Sequence, residues 1–285
     1  MPITVATWNI NSIRARLPEA CAWLREAQPD IVLLQETKAE DHNFPAMEIE
    51  DLGYNLALHG QKTYNGVAIL SKHRIEDVTR GLPTLPENTD ARYIEGLISL
   101  KGIRDWGLGI GKDILTSNPQ PLIPTLRVAS IYVPNGGEVG SEKFGQKLRF
   151  LEALRLHAET LLLQDEMLAL GGDYNVAPAD MDVYAPAALR GTTCFHPEEQ
   201  KRLRALEYLG LTDAFRARYP DRQQFSWWDY RSSGWEHNKG MRIDHLLLSP
   251  QAADALEDAG IDDTPRGKPK ASDHAPVWCR LGVGC

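Results

Sequence analysis

No segment of this sequence is apolar for long enough to cross a bilayer. The longest apolar runs, such as Ile31–Leu34 and Leu161–Leu163, fall far short of the ~18–20 residues a spanning helix needs. The first residues, MPITVATWNI, carry neither the charged nor the apolar block of a secretion signal. A cytoplasmic protein with no membrane association is therefore expected. Cysteine is scarce as well: Cys21, Cys194, Cys279 and Cys285 form no CxxC pair and no zinc-like spacing. Reduced thiols are the expectation. Basic residues are not in excess either, since the formal net charge is −8. That balance argues against a protein that coats nucleic acid unspecifically. It leaves room for an enzyme whose phosphate contacts are local, or whose metal site is itself built from acids. Internal repeats, low-complexity tracts and an evident linker are also missing, so residues 1–285 are read as one domain.

What the chain does contain is an alternation of short β-branched runs with helical patterns. Ile3–Trp8, Ile31–Leu34, Gly66–Leu70, Ile94–Leu100, Leu126–Val133, Met167–Leu170, Arg242–Leu248 and Pro276–Leu281 read as strands. Residues 17–27 read as a helix, with Pro18 in its first turn. Apolar residues from Phe144 to Leu162 recur at helical spacing, which predicts a long amphipathic helix over 142–164. A further helix is predicted over 198–209, ended by Gly210. The stretch 102–124, with several glycines and three prolines, reads as a surface excursion longer than most loops.

The chemically rich residues lie next to strand ends. Asn9 and Asn11 follow the first strand, and Glu36 and Lys38 follow the second. Tyr132 and Asn135 close the 126–133 strand, Asp173 and Asn175 follow 167–170, and Asp244 and His245 open their strand. Ser272, Asp273 and His274 precede the last strand. Strand ends are where open α/β sheets gather ligands. Four carboxylates brought together there would repel one another without a cation, and hard oxygen donors without thiolate suit Mg²⁺ or Mn²⁺. A divalent cation beside an acid, a histidine and amide donors is what phosphodiester hydrolysis requires. Taken singly, each motif also describes an ordinary turn or helix cap. Their order and number carry the information.

That order is similar to the exonuclease III family of abasic-site endonucleases, within the endonuclease, exonuclease and phosphatase fold. The matching blocks are TWNINSIRAR (7–16), LLQETK (33–38), NGVAILSK (65–72), YVPNG (132–136), GGDYNVAP (171–178), FSWWDYR (225–231), GMRIDHLLLS (240–249) and SDHAPVW (272–278). The resemblance implies a deoxyribonuclease I-like, four-layer α/β sandwich: two mixed β-sheets packed face to face and flanked by helices. It implies Glu36 as the principal metal ligand, with Asn9, Asn11 and Asp273 on the metal side. Asp173 would position or deprotonate the attacking water, and Asn175 would orient it. His274 would contact phosphate with its ring held by Asp244, and Tyr132 would contact the scissile phosphate. Trp227, Trp228 and Met241 would line an apolar pocket for a flipped-out abasic sugar; Asn135 is a further candidate substrate contact, and the charge of Arg242 makes it a candidate for a backbone phosphate. The implied activity is Mg²⁺-dependent cleavage 5′ to abasic sites in double-stranded DNA, with 3′-end trimming, by a monomer. A same-fold phosphatase acting on inositol, lipid or nucleotide phosphates, and a non-catalytic DNA-binding relative, are the competing expectations.

Overall fold

A computed structural model describes residues 2–100 and 124–283. The predicted excursion at 102–124 lies outside them except for its last residue. One sheet holds β1 (Pro2–Asn9), β2 (Ile31–Gln35), β3 (Asn55–His59), β4 (Val67–Ser71), β13 (Leu256–Ile261) and β14 (Val277–Gly282), in the order β13-β14-β1-β2-β4-β3. The other holds β5 (Arg74–Arg80), β6 (Tyr93–Ser99), β7 (Thr125–Tyr132), β8 (Leu168–Asp173), β9 (Thr212–Asp213) and β12 (Asp244–Leu248), in the order β5-β6-β7-β8-β12-β9. A short hairpin of β10 (Trp227–Trp228) and β11 (Gly240–Met241) stands apart from both.

Each sheet contains one parallel pair joined by a helical crossover. In the first, α1 (Leu17–Ala27) links β1 to β2; in the second, α3 (Glu142–Leu162) links β7 to β8. Alternation along the strands sends one set of side chains inward and the other toward the helices. Val5, Leu33, Ile69, Ile98, Val128 and Leu246 fill the space between the sheets. Trp8, Val32, Leu34 and Leu70 pack outward under Trp23 and Leu24 of α1. Ile131 and Leu170 pack outward under Leu151 and Leu154 of α3 and under Leu203 of α5 (Pro197–Glu207). The layers therefore run helix, sheet, sheet, helix, as expected. Short helices α2 (Ala46–Glu50), α4 (Pro186–Leu189), α6 (Ala214–Arg218) and α7 (Pro250–Asp254) fill the connections.

The sheets approach closely at one place for a reason visible in the sequence. A Cβ on Gly171 would lie 2.5 Å from Leu33 Cδ1 and 2.7 Å from Leu246 Cδ2, so a larger residue would force the layers apart. Beside it, Gln35 donates across the sandwich to Ser130 Oγ at 2.9 Å, and Ser130 Oγ donates to the Leu34 carbonyl at 2.7 Å. A satisfied polar clip inside an apolar interface holds the two sheets in one relative position. It lies directly behind Glu36.

Helix boundaries follow local chemistry. The α1 range matches the predicted 17–27, and Gln28 ends the helix in a left-handed conformation. Ser141 caps α3 by accepting from the Phe144 N–H, and that helix stops two residues before the expected end. Pro197 occupies the first turn of α5, which therefore starts earlier than predicted; the helix also ends earlier, at Glu207. Among the described residues, no helix is long and apolar enough to cross a membrane.

Candidate active site

The two parallel pairs end at the same edge of the sandwich. Asn9 pairs with Gln35 at the end of β1 and β2, while Tyr132 pairs with Asp173 at the end of β7 and β8. Because β12 runs antiparallel to β8, its first residue, Asp244, falls opposite Asp173. Register alone thus brings residues from 9 to 244 to one mouth. The 272–274 loop joins them because Ser272 Oγ donates to the Asn9 carbonyl at 2.7 Å, while the His274 carbonyl accepts from Trp8 Nε1 at 3.1 Å.

Asn9 is the junction of the cluster. Its Nδ2 donates to Glu36 Oε1 at 2.8 Å and to Asp173 Oδ2 at 3.0 Å, which ties two carboxylates of the two sheets together. Asp173 Oδ1 accepts from the backbone N–H of Asn175 at 2.9 Å. Asn175 Nδ2 donates to the Val133 carbonyl at 3.0 Å, and Asn175 Oδ1 accepts from Asn135 Nδ2 at 3.1 Å. Asn11, Glu36, Lys38 and Asn175 all have left-handed backbones, with φ of 46°, 50°, 51° and 52°. Such strain is uncommon in residues with side chains and persists where surrounding contacts over-determine it.

Burial pushes the Asp173 carboxyl above the ordinary carboxylate range, partly opposed by the nearby His274. For His274, burial works against the cation, but Asp244 and Asp173 outweigh it and raise the pKa. The imidazole lies between them: Nδ1 is 2.9 Å from Asp244 Oδ2, and Nε2 is 3.8 Å from Asp173 Oδ2. Ser226 Oγ donates to Asp244 Oδ2 at 2.6 Å and completes the support of the ring. Burial, with the charges of Glu36 and Asp173, raises the Tyr132 phenol, which therefore remains a proton-bearing donor.

Glu36 is held in the charged form: burial opposes ionisation, but hydrogen bonds from Asn9 and Lys38 prevail. Lys38 Nζ rests 2.8 Å from Glu36 Oε2 and 2.5 Å from Asn11 Oδ1. This oxygen pair already holds an ammonium, and its donor set is free of sulfur, so Glu36 and Asn11 fit a hard divalent cation, while Asn9 turns its Nδ2 to Glu36 and its oxygen to the Asn11 N–H and so orients both. Both oxygens of Asp273 are engaged, by Asn11 Nδ2 at 2.9 Å and Trp227 Nε1 at 3.0 Å. That arrangement suits a ligand acting through water. Asp173, Asp244 and His274 are also close enough to share an ion. The His274–Asp244 hydrogen bond and the 3.8 Å approach of His274 Nε2 to Asp173 account for that proximity, and the Glu36 side offers the better oxygen set.

Two sequence expectations need correction. Trp228 is 2% exposed and packs in the inter-sheet core with Phe225, because neighbours on a strand face opposite ways. Its partner Trp227 faces the site beside Met241, with which it pairs across the hairpin. Arg242, expected at a phosphate, is 1% exposed. Its guanidinium is committed to Asp182 at 2.7 Å and Asp213 at 2.6 Å. It also meets His245 Nδ1 at 3.0 Å, and His245 Nε2 holds the Val176 carbonyl at 2.8 Å. Arg242 thus supports the 173–176 loop from inside. Arg242→Met would leave Asp213 without an arginine and Asp182 with Arg216 alone, and should cost about 3–5 kcal/mol of stability, read from urea unfolding. Although burial opposes it, Arg242 and His245 hold the Asp213 carboxyl low. Asp213 therefore adds stability above the ordinary carboxylate range that is lost as pH falls through its depressed value.

Some contributors to the site have no role assigned by the sequence. Lys38 and Ser226 lie inside the LLQETK and FSWWDYR blocks, so their positions were in view but not their roles. Arg92 stacks over the Tyr132 ring at 4.6 Å and sits in no motif. Tyr230 Oη accepts from Arg16 at 3.1 Å and donates to the Ala271 carbonyl at 2.6 Å, which ties the hairpin loop to the metal side.

The fold and this cluster define a phosphoester-cleaving type of site. The chain belongs to the endonuclease/exonuclease/phosphatase family, whose profile matches residues 6–274. It is 35% identical over 283 residues to exodeoxyribonuclease III of Haemophilus influenzae, covering 96% of this chain and 98% of that one. It superimposes on a 3′ phosphatase from Neisseria bound to product DNA hairpin with a TM-score of 0.87 and 34% identity, covering 98% of this chain and 99% of that one. An AP endonuclease from Archaeoglobus fulgidus matches with a TM-score of 0.85 and 31% identity, over 99% of this chain and 100% of that one.

Proposed function

We propose that this protein is a Mg²⁺-dependent DNA repair phosphodiesterase that cleaves 5′ to abasic sites in duplex DNA and trims 3′ nucleotides or blocking groups. The observation that carries this reading is the placement of Asp173 Oδ2, which shares Asn9 with Glu36 and faces His274 Nε2. A proton acceptor, a cation site and a phosphate-directed donor then occupy one mouth. The kinship with an exodeoxyribonuclease, a 3′ phosphatase and an AP endonuclease supports DNA as the substrate.

In this reading Asp173 takes the proton of a water in line with the scissile bond, and Asn175 holds that water and a phosphate oxygen. His274 Nε2 and the Tyr132 hydroxyl donate to the phosphate as its charge grows. Asp244 accepts from Nδ1, which fixes the tautomer and favours the cationic ring. Held by Glu36 and Asn11, which Asn9 orients, and by Asp273 through water, a Mg²⁺ ion would neutralise phosphate oxygens and the departing 3′ alkoxide; Mn²⁺ meets the same oxygen requirement. Trp227 and Met241 form a short apolar wall beside these donors, suited to a deoxyribose without a base, which costs least to extrude. Every residue of this reading comes from one chain, so it requires no second copy.

The deciding experiment uses a labelled duplex carrying one abasic analogue. Cleavage 5′ to the lesion that appears with Mg²⁺ and disappears with chelator is expected, with Mn²⁺ restoring it. Release of phosphate from a soluble inositol phosphate, with the duplex left intact, would assign the site to the phosphatases of the fold. Tight binding of the duplex without any metal-stimulated cutting would make the protein a binding relative only.

A further inference from the structure

Beneath the two asparagine loops lies a charge pair that none of these steps uses. Lys147, on α3, and Glu199, in the first turn of α5, are fully buried and form an ion pair. Lys147 Nζ also donates to the carbonyl of Asn135 at 3.1 Å and to that of Asn175 at 2.7 Å. An ammonium has three N–H donors, and all three are used. Both oxygens of Glu199 are engaged as well, since Oε1 also accepts from the N–H of Cys194 at 3.3 Å and Oε2 from that of His196 at 3.1 Å. The lysine stem passes directly under the loop. Gly136 has φ of +95°, and a Cβ there would lie 2.9 Å from Lys147 Cδ. The glycine of the YVPNG block is thus the place where the chain makes room for the lysine.

Two apolar side chains of similar volume would often be no costlier to bury than this pair. They would leave the carbonyls of Asn135 and Asn175 without donors. What the pair secures is the position of two loops that come from different strands and carry neighbouring side chains. Asn175 sits in its left-handed conformation between the lysine below and Asp173 above, whose Oδ1 accepts from the Asn175 N–H at 2.9 Å. A shift of the Asn175 carbonyl therefore moves both the Asn175 amide and the Asp173 carboxylate.

We propose that Lys147, braced by Glu199, is a positioning residue that sets Asn175, and through it Asp173, for the hydrolytic step. This rests on the reading that those two side chains carry the chemistry.

The test is a variant in which the pair is neutral, Lys147→Met with Glu199→Gln, assayed by single-turnover cleavage of abasic duplex. Misplacement of a reacting group by a fraction of an ångström to an ångström should lower kcat by about 30- to 100-fold, with KM within about threefold. The same double substitution in an Asn175→Ala background should cost clearly less, about three- to tenfold, because the amide is already gone and only Asp173, still held through the backbone N–H of residue 175, is left to be misplaced. A merely structural brace would impose the same factor in both backgrounds. Glu199→Gln alone leaves the lysine in place and should lower kcat by about three- to tenfold; it carries the test if the double variant does not fold. Folded variants with unchanged kcat, a loss confined to KM, or an equal penalty in the Asn175→Ala background would overturn the proposal. So would a pair that tolerates no change without unfolding. Asp173→Asn is run alongside, and if it still cleaves, the functional reading has failed rather than the brace.

Discussion

Asp173→Asn should lower kcat on abasic duplex by about 10³-fold or more, while the Kd for that duplex stays within about threefold. The amide keeps the size of the side chain and can still accept from the Asn175 N–H, so the loop stays in place. What it cannot do is take a proton. The same substitution should raise the thermal midpoint of the metal-free protein near neutral pH. Burial lifts the Asp173 pKa above its unfolded value, so the folded state holds that proton where the unfolded chain has released it. The ionised group therefore costs stability once pH exceeds the ordinary carboxylate range, and the cost grows until the raised value is passed. Removing the charge removes that cost. Activity and stability would then move in opposite directions at one residue, as expected for a carboxylate kept for chemistry. A midpoint that falls, together with DNA affinity that collapses, would mean that Asp173 is structural.

His274 and Asp244 should behave as one unit. His274→Ala is expected to lower kcat by about 10²- to 10⁴-fold through loss of a charged donor to the phosphate. Asp244→Asn should approach the same loss without touching substrate, because an amide cannot fix the Nδ1 proton as the carboxylate does. The double variant should be little worse than His274→Ala alone, since the aspartate acts only through the ring. Multiplicative losses would instead give Asp244 a separate role, such as holding a metal with Asp173. The raised His274 pKa has its own consequence. The stability of the cation is fully present below the ordinary histidine range and fades as pH climbs through the raised value. In His274→Ala the alkaline part of the stability profile should therefore flatten.

The eight strands read from hydrophobic runs correspond to the eight interior strands, β1, β2, β4, β6, β7, β8, β12 and β14. The four sheet edges, β3, β5, β9 and β13, were not read. An edge strand is half solvated and carries the polar residues that keep it from pairing further. β5 is RIEDVTR, with a register shift inside it, and β13 carries Asp258 and Gly260 beside another irregularity. Their sequences look like loops because water covers one side of them. β9, β10 and β11, at two residues each, are too short for any periodicity to form.

The site divides in a similar way. Motif order by itself picked out the candidates for chemistry, because a metal, a proton acceptor and phosphate donors demand particular residue types next to strand ends. Asn9, Glu36, Asp173, Asn175, Asp244 and His274 do meet at one mouth. Tertiary structure decided the side chains whose type does not reveal their direction. Trp227 and Trp228 are identical in chemistry and adjacent in sequence, and only the strand's pleat separates a site wall from a core residue. Arg242 and Lys147 look like surface charge along the chain, yet each is buried by partners far away in sequence: Asp182 and Asp213 for the arginine, Glu199 for the lysine. A charge reaches the interior only when folding brings its counter-charge there. That pairing is a property of the assembled sandwich, and no local pattern encodes it.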